Sequence, residues 1–177
     1  MNIAFAILTA IALTVWGPAP LGSLDSLRGI EWVSVILDDE DPGIEAKEAG
    51  LTLELLRADV TAKLRAGGMK LAEGSASPQL GLLVAHLEYK AIRPSGGGPP
   101  GFVAYVCLRV KQDVQLLSRA EPAPMLASTW EHGTLITGNG PGKEEVRKAL
   151  AALADKFLAD YRAANSEGAP LRNPPKP

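Results

Sequence analysis

The chain has 177 residues, which suits one domain of ordinary size. Hydrophobic residues make up 46% and charged residues 21%, a globular composition that excludes general disorder. The formal net charge of -2 provides no basic surface for a phosphate backbone, so we expect no nucleic-acid partner. The single cysteine, Cys107, excludes an intramolecular disulfide, and we interpret it as a small buried side chain.

The first residues have the features of an export signal. Residues 3–16 form an uncharged apolar run that suits a signal peptide and is shorter than the ~20 residues of a membrane span. The helix breakers Gly17, Pro18 and Pro20 follow this run. We therefore predict a signal peptide over residues 1–23 and a periplasmic or extracellular product. Two alternatives stay open: an uncleaved membrane anchor, and a buried first helix of the domain.

We predict that the remainder is one domain, residues 24–166, followed by a disordered proline-rich tail, residues 167–177. In the first half of the domain, β-branched residues predict a strand over residues 30–38. Apolar residues at three- and four-residue steps predict a helix over residues 44–66 that ends at a Gly-Gly pair. A short return strand is predicted over residues 69–72.

Alternating apolar and polar residues predict three longer strands in the second half, over residues 80–92, 102–117 and 125–137. A glycine-rich loop, residues 138–142, then leads into a second amphipathic helix. The order β-α-(β)-β-β-β-α predicts an α+β fold, with a mostly antiparallel sheet of four to five strands and two helices packed on one face. The other sheet face would be solvated or covered by a partner.

No catalytic, metal-binding or cofactor motif is present. The sequence lacks a G-x-S-x-G elbow, an H-E-x-x-H helix, a C-x-x-C pair and a P-loop lysine motif. The acidic run over residues 38–41 lacks the alternating ligands of a calcium loop, and residues 138–142 lack the spacing of a phosphate loop. We therefore predict no catalytic residues, no metal site and no cofactor.

The candidate binding residues are aromatic side chains and histidines in the predicted strands. Trp32 falls outside the apolar set of its strand, and His86 falls on the polar side of its own. Trp130 and His132 share one side of the last strand. If the strands align, these four residues form one patch on the open sheet face, of the kind that binds ligands or partners. Two histidines alone do not define a zinc site.

The segments at residues 51–69 and 153–162 carry a resemblance. The first is a helix that runs through a Gly-Gly pair into a strand, and the second is the closing helix. Together with the leader and the strand order, they make the chain resemble the βαβββα modules of small exported bacterial envelope proteins of unknown function and of envelope-assembly lipoproteins. The chain lacks the lipidated cysteine of those lipoproteins. The resemblance implies a binding or adaptor role and names no partner.

We therefore predict a non-catalytic exported envelope protein that binds a partner protein or a small ligand. One alternative is an exported hydrolase that uses His132 or His86. Glu131 and His132 alternate onto opposite faces, which argues against their cooperation. A second alternative is a membrane-anchored structural subunit, in which an uncleaved leader is the only contact with the membrane.

Overall fold

A computed structural model of the chain describes residues 24–37, 42–72, 80–95, 98–115 and 124–166. The predicted leader, residues 1–23, and the predicted tail, residues 167–177, lie outside these ranges. A single 3-10 turn at Asp25–Leu27, called the N-terminal turn below, precedes the first strand. The other elements are β1 Trp32–Leu37, α1 Ile44–Glu48, α2 Leu53–Ala66, β2 Leu80–Ile92, β3 Gly101–Gln115, β4 Pro124–Asn139 and α3 Lys143–Asn165.

The four strands form one sheet in the order β1-β2-β3-β4. β1 runs parallel to β2, and the other two pairs are antiparallel, so the sheet is mixed and the predicted α+β class is confirmed. The predicted strand over residues 69–72 is reduced to one parallel bridge between Leu71 and Val33 on the outer side of β1. Two backbone hydrogen bonds hold it, from Val33 N to Lys70 O and from Ala72 N to Val33 O, each 3.0 Å long.

The single helix predicted over residues 44–66 is two helices. Gly50 has φ of 75°, a left-handed conformation that ends α1 and that glycine adopts without strain. Thr52 then begins α2, because its hydroxyl accepts a hydrogen bond from Leu55 N at 3.3 Å. The predicted apolar stripe is confirmed in α2, where Leu56, Val60 and Leu64 are all buried.

The hydrophobic core lies between the helices and one face of the sheet, called the helix face. The strands contribute alternate residues to it, as a sheet with one packed face requires. Its largest fully buried side chains are those of Trp130, Phe102 and Phe157. The opposite face, called the open face, has no helix of the described ranges packed on it.

The N-terminal turn is attached to the end of α3. The side-chain amide of Asn165 donates to Leu27 O at 3.0 Å and accepts from Gly29 N at 2.9 Å. The Arg28 guanidinium donates to Ala164 O at 3.2 Å. Both ends of the described chain therefore leave the fold at one corner. Within the described ranges, no helix has the length and apolar character that crossing a membrane requires.

Candidate functional site

The predicted four-residue patch does not exist as one surface. Trp32 and His86 lie on the open face, whereas Trp130 and His132 lie on the helix face. Trp130 pairs with Val110 and His132 pairs with Leu108, and both of these β3 residues belong to the core. Because directly paired residues share a face, the common open face that the sequence analysis predicted is wrong.

Trp130 is a core residue that joins β4 to α3. It is 1% exposed, and its ring packs edge-on against Phe157 at 5.2 Å between centroids. Its indole N–H donates to Oδ2 of Asp160 at 3.0 Å, and Lys156 forms an ion pair with the other carboxylate oxygen. A buried carboxylate satisfied on both oxygens is typical of a structural role.

His132 lies beside this cluster without a hydrogen bond to the Asp160 carboxylate. Its Nε2 is 3.8 Å from Oδ2 of Asp160, beyond hydrogen-bond distance, and that oxygen already accepts from Trp130. Burial, followed by the charge of Lys156, lowers the pKa of His132, while Asp160 opposes both effects. Glu131 lies on the open face, as the alternation predicted, so the two residues do not form an acid–base pair.

The centre of the open face carries a polar cluster around Cys107. The thiol is 0% exposed and donates to Oε1 of Glu131 at 3.5 Å. The Arg109 guanidinium is 3.7 Å from the other oxygen of Glu131, and Tyr105 flanks the thiol from the opposite side. Burial raises the pKa of the Cys107 thiol, so it stays protonated at neutral pH and is a poor nucleophile.

The Tyr105 side chain reaches over Gly133 of the neighbouring strand. A Cβ placed on Gly133 would come within 2.3 Å of the Tyr105 hydroxyl, so only glycine leaves room for the ring there. The ring of His86 meets Tyr105 edge-on at 6.5 Å, and Nε2 of His86 is 3.2 Å from Glu88. The open face therefore presents aromatic and charged groups over a buried thiol.

Apolar side chains lie toward the margins of this cluster. Trp32 on β1 is 41% exposed, with the Lys70 ammonium 5.4 Å from its ring centroid. On β4, Leu135 is 67% and Leu126 is 51% exposed. These three side chains lie outside the hydrophobic core.

The described ranges show no cluster of metal-ligating side chains, and the gap beneath α2 is small. No three His, Cys, Asp or Glu side chains in them converge as metal ligands would. A gap beneath α2, lined by Leu53, Leu56 and Leu150 among others, encloses only about 10 Å³. That volume takes at most one water molecule.

The residues of this cluster that the sequence analysis missed are Tyr105, Arg109 and Glu131. Their signal was present, because Tyr105 and Arg109 alternate on the polar side of β3. The alternation does not give the register between strands, which places Arg109 directly opposite Glu131 and Cys107 opposite Gly133.

Comparison with known proteins gives only distant structural similarity. No protein-family model and no curated protein sequence matches the chain. Eleven chains of solved structures match it. One is a hypothetical protein from Chlamydia trachomatis, with a TM-score of 0.48 and 10% identity over 76% of this chain and 98% of that one. Another is a minor lipoprotein from Acinetobacter baumannii, with a TM-score of 0.37 and 12% identity over 77% of this chain and 93% of that one. These similarities assign no activity to this chain.

Proposed function

We propose that this chain is a non-catalytic exported envelope protein that binds a partner protein through the open face of its sheet. The observation that carries the proposal is the composition of that face. It combines a fixed polar cluster around Cys107 with the exposed apolar rings and chains of Trp32 and Leu135, and no described helix packs on it. Export follows from the apolar leader at residues 3–16.

The shape of the face favours a protein over a small ligand. Small-molecule sites are concave and enclose most of their ligand, whereas the exposed groups of the open face, such as Trp32, Glu88 and Leu135, are spread over three strands. The gap beneath α2 is too small for an organic molecule. A broad surface that joins aromatic and charged groups is typical of protein recognition.

The chemistry of the face indicates the kind of partner. Trp32 is an aromatic anchor of the type that contributes most to interface energies. Arg109 and Glu131 already pair with each other at 3.7 Å, so a partner need not supply a large charge of either sign. We expect a partner surface with apolar side chains that cover Trp32 and with neutral polar groups over the cluster.

Site-specific photo-crosslinking tests this proposal in the native envelope. A photoreactive phenylalanine is introduced at Trp32 or at Glu88, both exposed on the open face and remote from β4, and at Lys148 on α3 as the matched control. We expect the same adduct from the two open-face positions and none from position 148. Adducts from all three positions, or from none, would contradict binding through this face.

A second experiment uses single replacements. Trp32→Ala should weaken the adduct formed through position 88 while leaving the helical circular dichroism unchanged, because Trp32 does not contribute to the core. Replacing Trp130 as well is not informative, since Trp130 is a core residue and its loss affects folding. An undiminished adduct in Trp32→Ala would remove Trp32 from the interface.

A further inference from the structure

The two edges of the sheet differ in how they are covered. The outer side of β1 is paired with Lys70 and Ala72 through two backbone hydrogen bonds. β4 is the opposite edge strand, and over residues 131–139 no described segment pairs with its outer side. Long uncovered edges are sites at which another strand can add, and proteins usually protect them with lysine, proline or bulges. Residues 131–139 contain no lysine, arginine or proline and one acidic residue.

The hydrogen-bond pattern shows which groups face outward. Gly101 is paired with Asn139. The residue after Asn139 donates to the residue before Gly101, through a hydrogen bond of 2.8 Å from Gly140 N to Pro100 O. That pair is therefore a non-hydrogen-bonded one, in which Asn139 directs its own N–H and C=O away from β3. The register is regular from Gly101 to Val110, so every second residue of β4 back to Glu131 does the same. The outward residues are 131, 133, 135, 137 and 139.

The uncovered edge has a defined end. β4 has a bulge at Thr129, and the Thr129 carbonyl accepts a hydrogen bond from the Ser26 hydroxyl at 2.8 Å. The N-terminal turn thus covers the edge at residue 129. At the other end, Asn139 is the last residue of the strand. The available edge is nine residues long, and Leu135 is its central residue.

We propose that this edge pairs with the same edge of a second copy of the chain, in antiparallel register about a two-fold axis at Leu135. This register places residue 131 opposite 139 and 133 opposite 137, and it pairs outward groups with outward groups throughout. Moving the axis to residue 133 brings the second copy onto the covered position 129. Moving it to residue 137 leaves half of the edge unpaired. The register at Leu135 uses the whole edge.

The side chains fit this pairing. Leu135 meets Leu135 of the second copy, which covers an apolar side chain that is 67% exposed in the single chain. Glu131, the only charged residue of the edge at neutral pH, lies opposite Asn139, so no like charges oppose each other. The resulting eight-stranded sheet has one continuous open face. The pairing stands independently of the partner-binding role proposed above, because it is made by the edge of β4 and does not involve Trp32 on β1.

Oligomeric state tests the proposal, measured by light scattering on the full protein recovered from the envelope fraction and followed through a dilution series. We expect a dimer for the wild type and for Leu126→Lys, the matched control on the same strand outside the free edge. Leu135→Lys should raise the dimer dissociation constant at least about tenfold, because it places two lysines opposite each other at the axis. A wild type that is monomeric at every concentration overturns the proposal.

Disulfide cross-linking fixes the register. In Leu135→Cys the two cysteines would lie about 5.5 Å apart between Cα atoms, within the range of a disulfide, and mild oxidation should link two copies. Leu126→Cys should not link, and the native Cys107 is too buried to interfere. Failure of Leu135→Cys to link, or its linkage to a different protein, overturns self-pairing.

Discussion

Trp130 and Asp160 meet across the boundary between the sheet and its longest helix, with the indole N–H 3.0 Å from the carboxylate. The contact connects residues that are thirty positions apart in sequence and, together with the ring contact between Trp130 and Phe157, joins α3 to β4. Asp160 is buried and is balanced by Lys156 one turn earlier. This hydrogen bond therefore links the sheet to α3, and the rings of Phe157 and His132 pack next to Trp130.

Replacing Trp130 tests how much this contact stabilises the fold. Trp130→Phe keeps an aromatic ring but removes the donor and part of the packed volume, so we expect a loss of about 2–3 kcal/mol in the free energy of unfolding. Trp32→Phe is the matched control, because that side chain is 41% exposed, and its effect should stay within about 0.5 kcal/mol. Urea unfolding of both variants measures the difference, and equal effects would contradict the assignment.

His132 predicts a pH dependence of stability. Burial and Lys156 keep the pKa of His132 below its ordinary value in the folded protein, so the unfolded chain binds a proton more readily. Stability should therefore be unaffected above pH ~6.5 and should fall as the pH drops from there through the lower folded-state pKa. The difference between wild type and His132→Gln, followed by thermal unfolding, isolates this effect. A difference that does not change with pH would contradict it.

Gly142 and Gly140 form a matched pair in the loop before α3. Both have positive φ, of 65° and 75°, so alanine at either costs about 1 kcal/mol in backbone strain. At Gly140 the added methyl group meets open space, whereas at Gly142 it comes within 2.3 Å of the buried Phe102 ring. We expect Gly142→Ala to cost about 1–3 kcal/mol more than Gly140→Ala in unfolding experiments. Equal costs would show that the ring moves aside freely.

The ion pair between Arg147 and Asp59 connects α3 to α2. Two guanidinium nitrogens contact the carboxylate at 2.7 and 3.0 Å, and these hydrogen bonds raise the pKa of Arg147. Lys63 and Asp155 make a single, more exposed contact between the same helices at 2.9 Å. We expect Arg147→Met to lower the unfolding temperature more than Lys63→Met does, because the two-point geometry is fixed. The reverse order would contradict this ranking.

Cys107 should be unreactive in the folded protein. It is 0% exposed and burial raises its pKa, so it presents neither an accessible sulfur nor a thiolate. We expect a thiol reagent to label it only in urea, at the pace of unfolding. Rapid labelling under native conditions would mean that the open-face cluster opens readily, and Leu126→Cys, at a position that is 51% exposed and outside the free edge of β4, provides an exposed thiol as the positive control.

The sequence predicted the local elements well because their signals are local. The strand predicted over residues 80–92 has those same bounds, and the alternation of β3 identified the residues that pack under the helices. The break between α1 and α2 was not predicted, because the apolar residues before and after Gly50 follow one continuous helical periodicity. Its left-handed φ depends on the three-dimensional path of the chain.

The candidate patch failed for a different reason. Alternation shows which residues of one strand share a side, but it does not show which side faces the core when both carry apolar groups. β4 has Leu135 on one side and Trp130 with Ile136 on the other, so its orientation was undetermined. Pairing with β3 decides it, because Val110 and Leu108 are buried and bring Trp130 and His132 to the helix face.

Because Asn165 binds Leu27 and Gly29, both ends of the described chain lie together, and their distance from the other end of β4 can be estimated. The corner where both chain ends leave the fold lies beside Thr129, and the β2–β3 hairpin turn lies beyond Asn139, at the far end of the same strand. Nine strand residues separate these points by roughly 30 Å. A group attached at Ser166 would therefore lie close to residue 24 and roughly 30 Å from the hairpin turn.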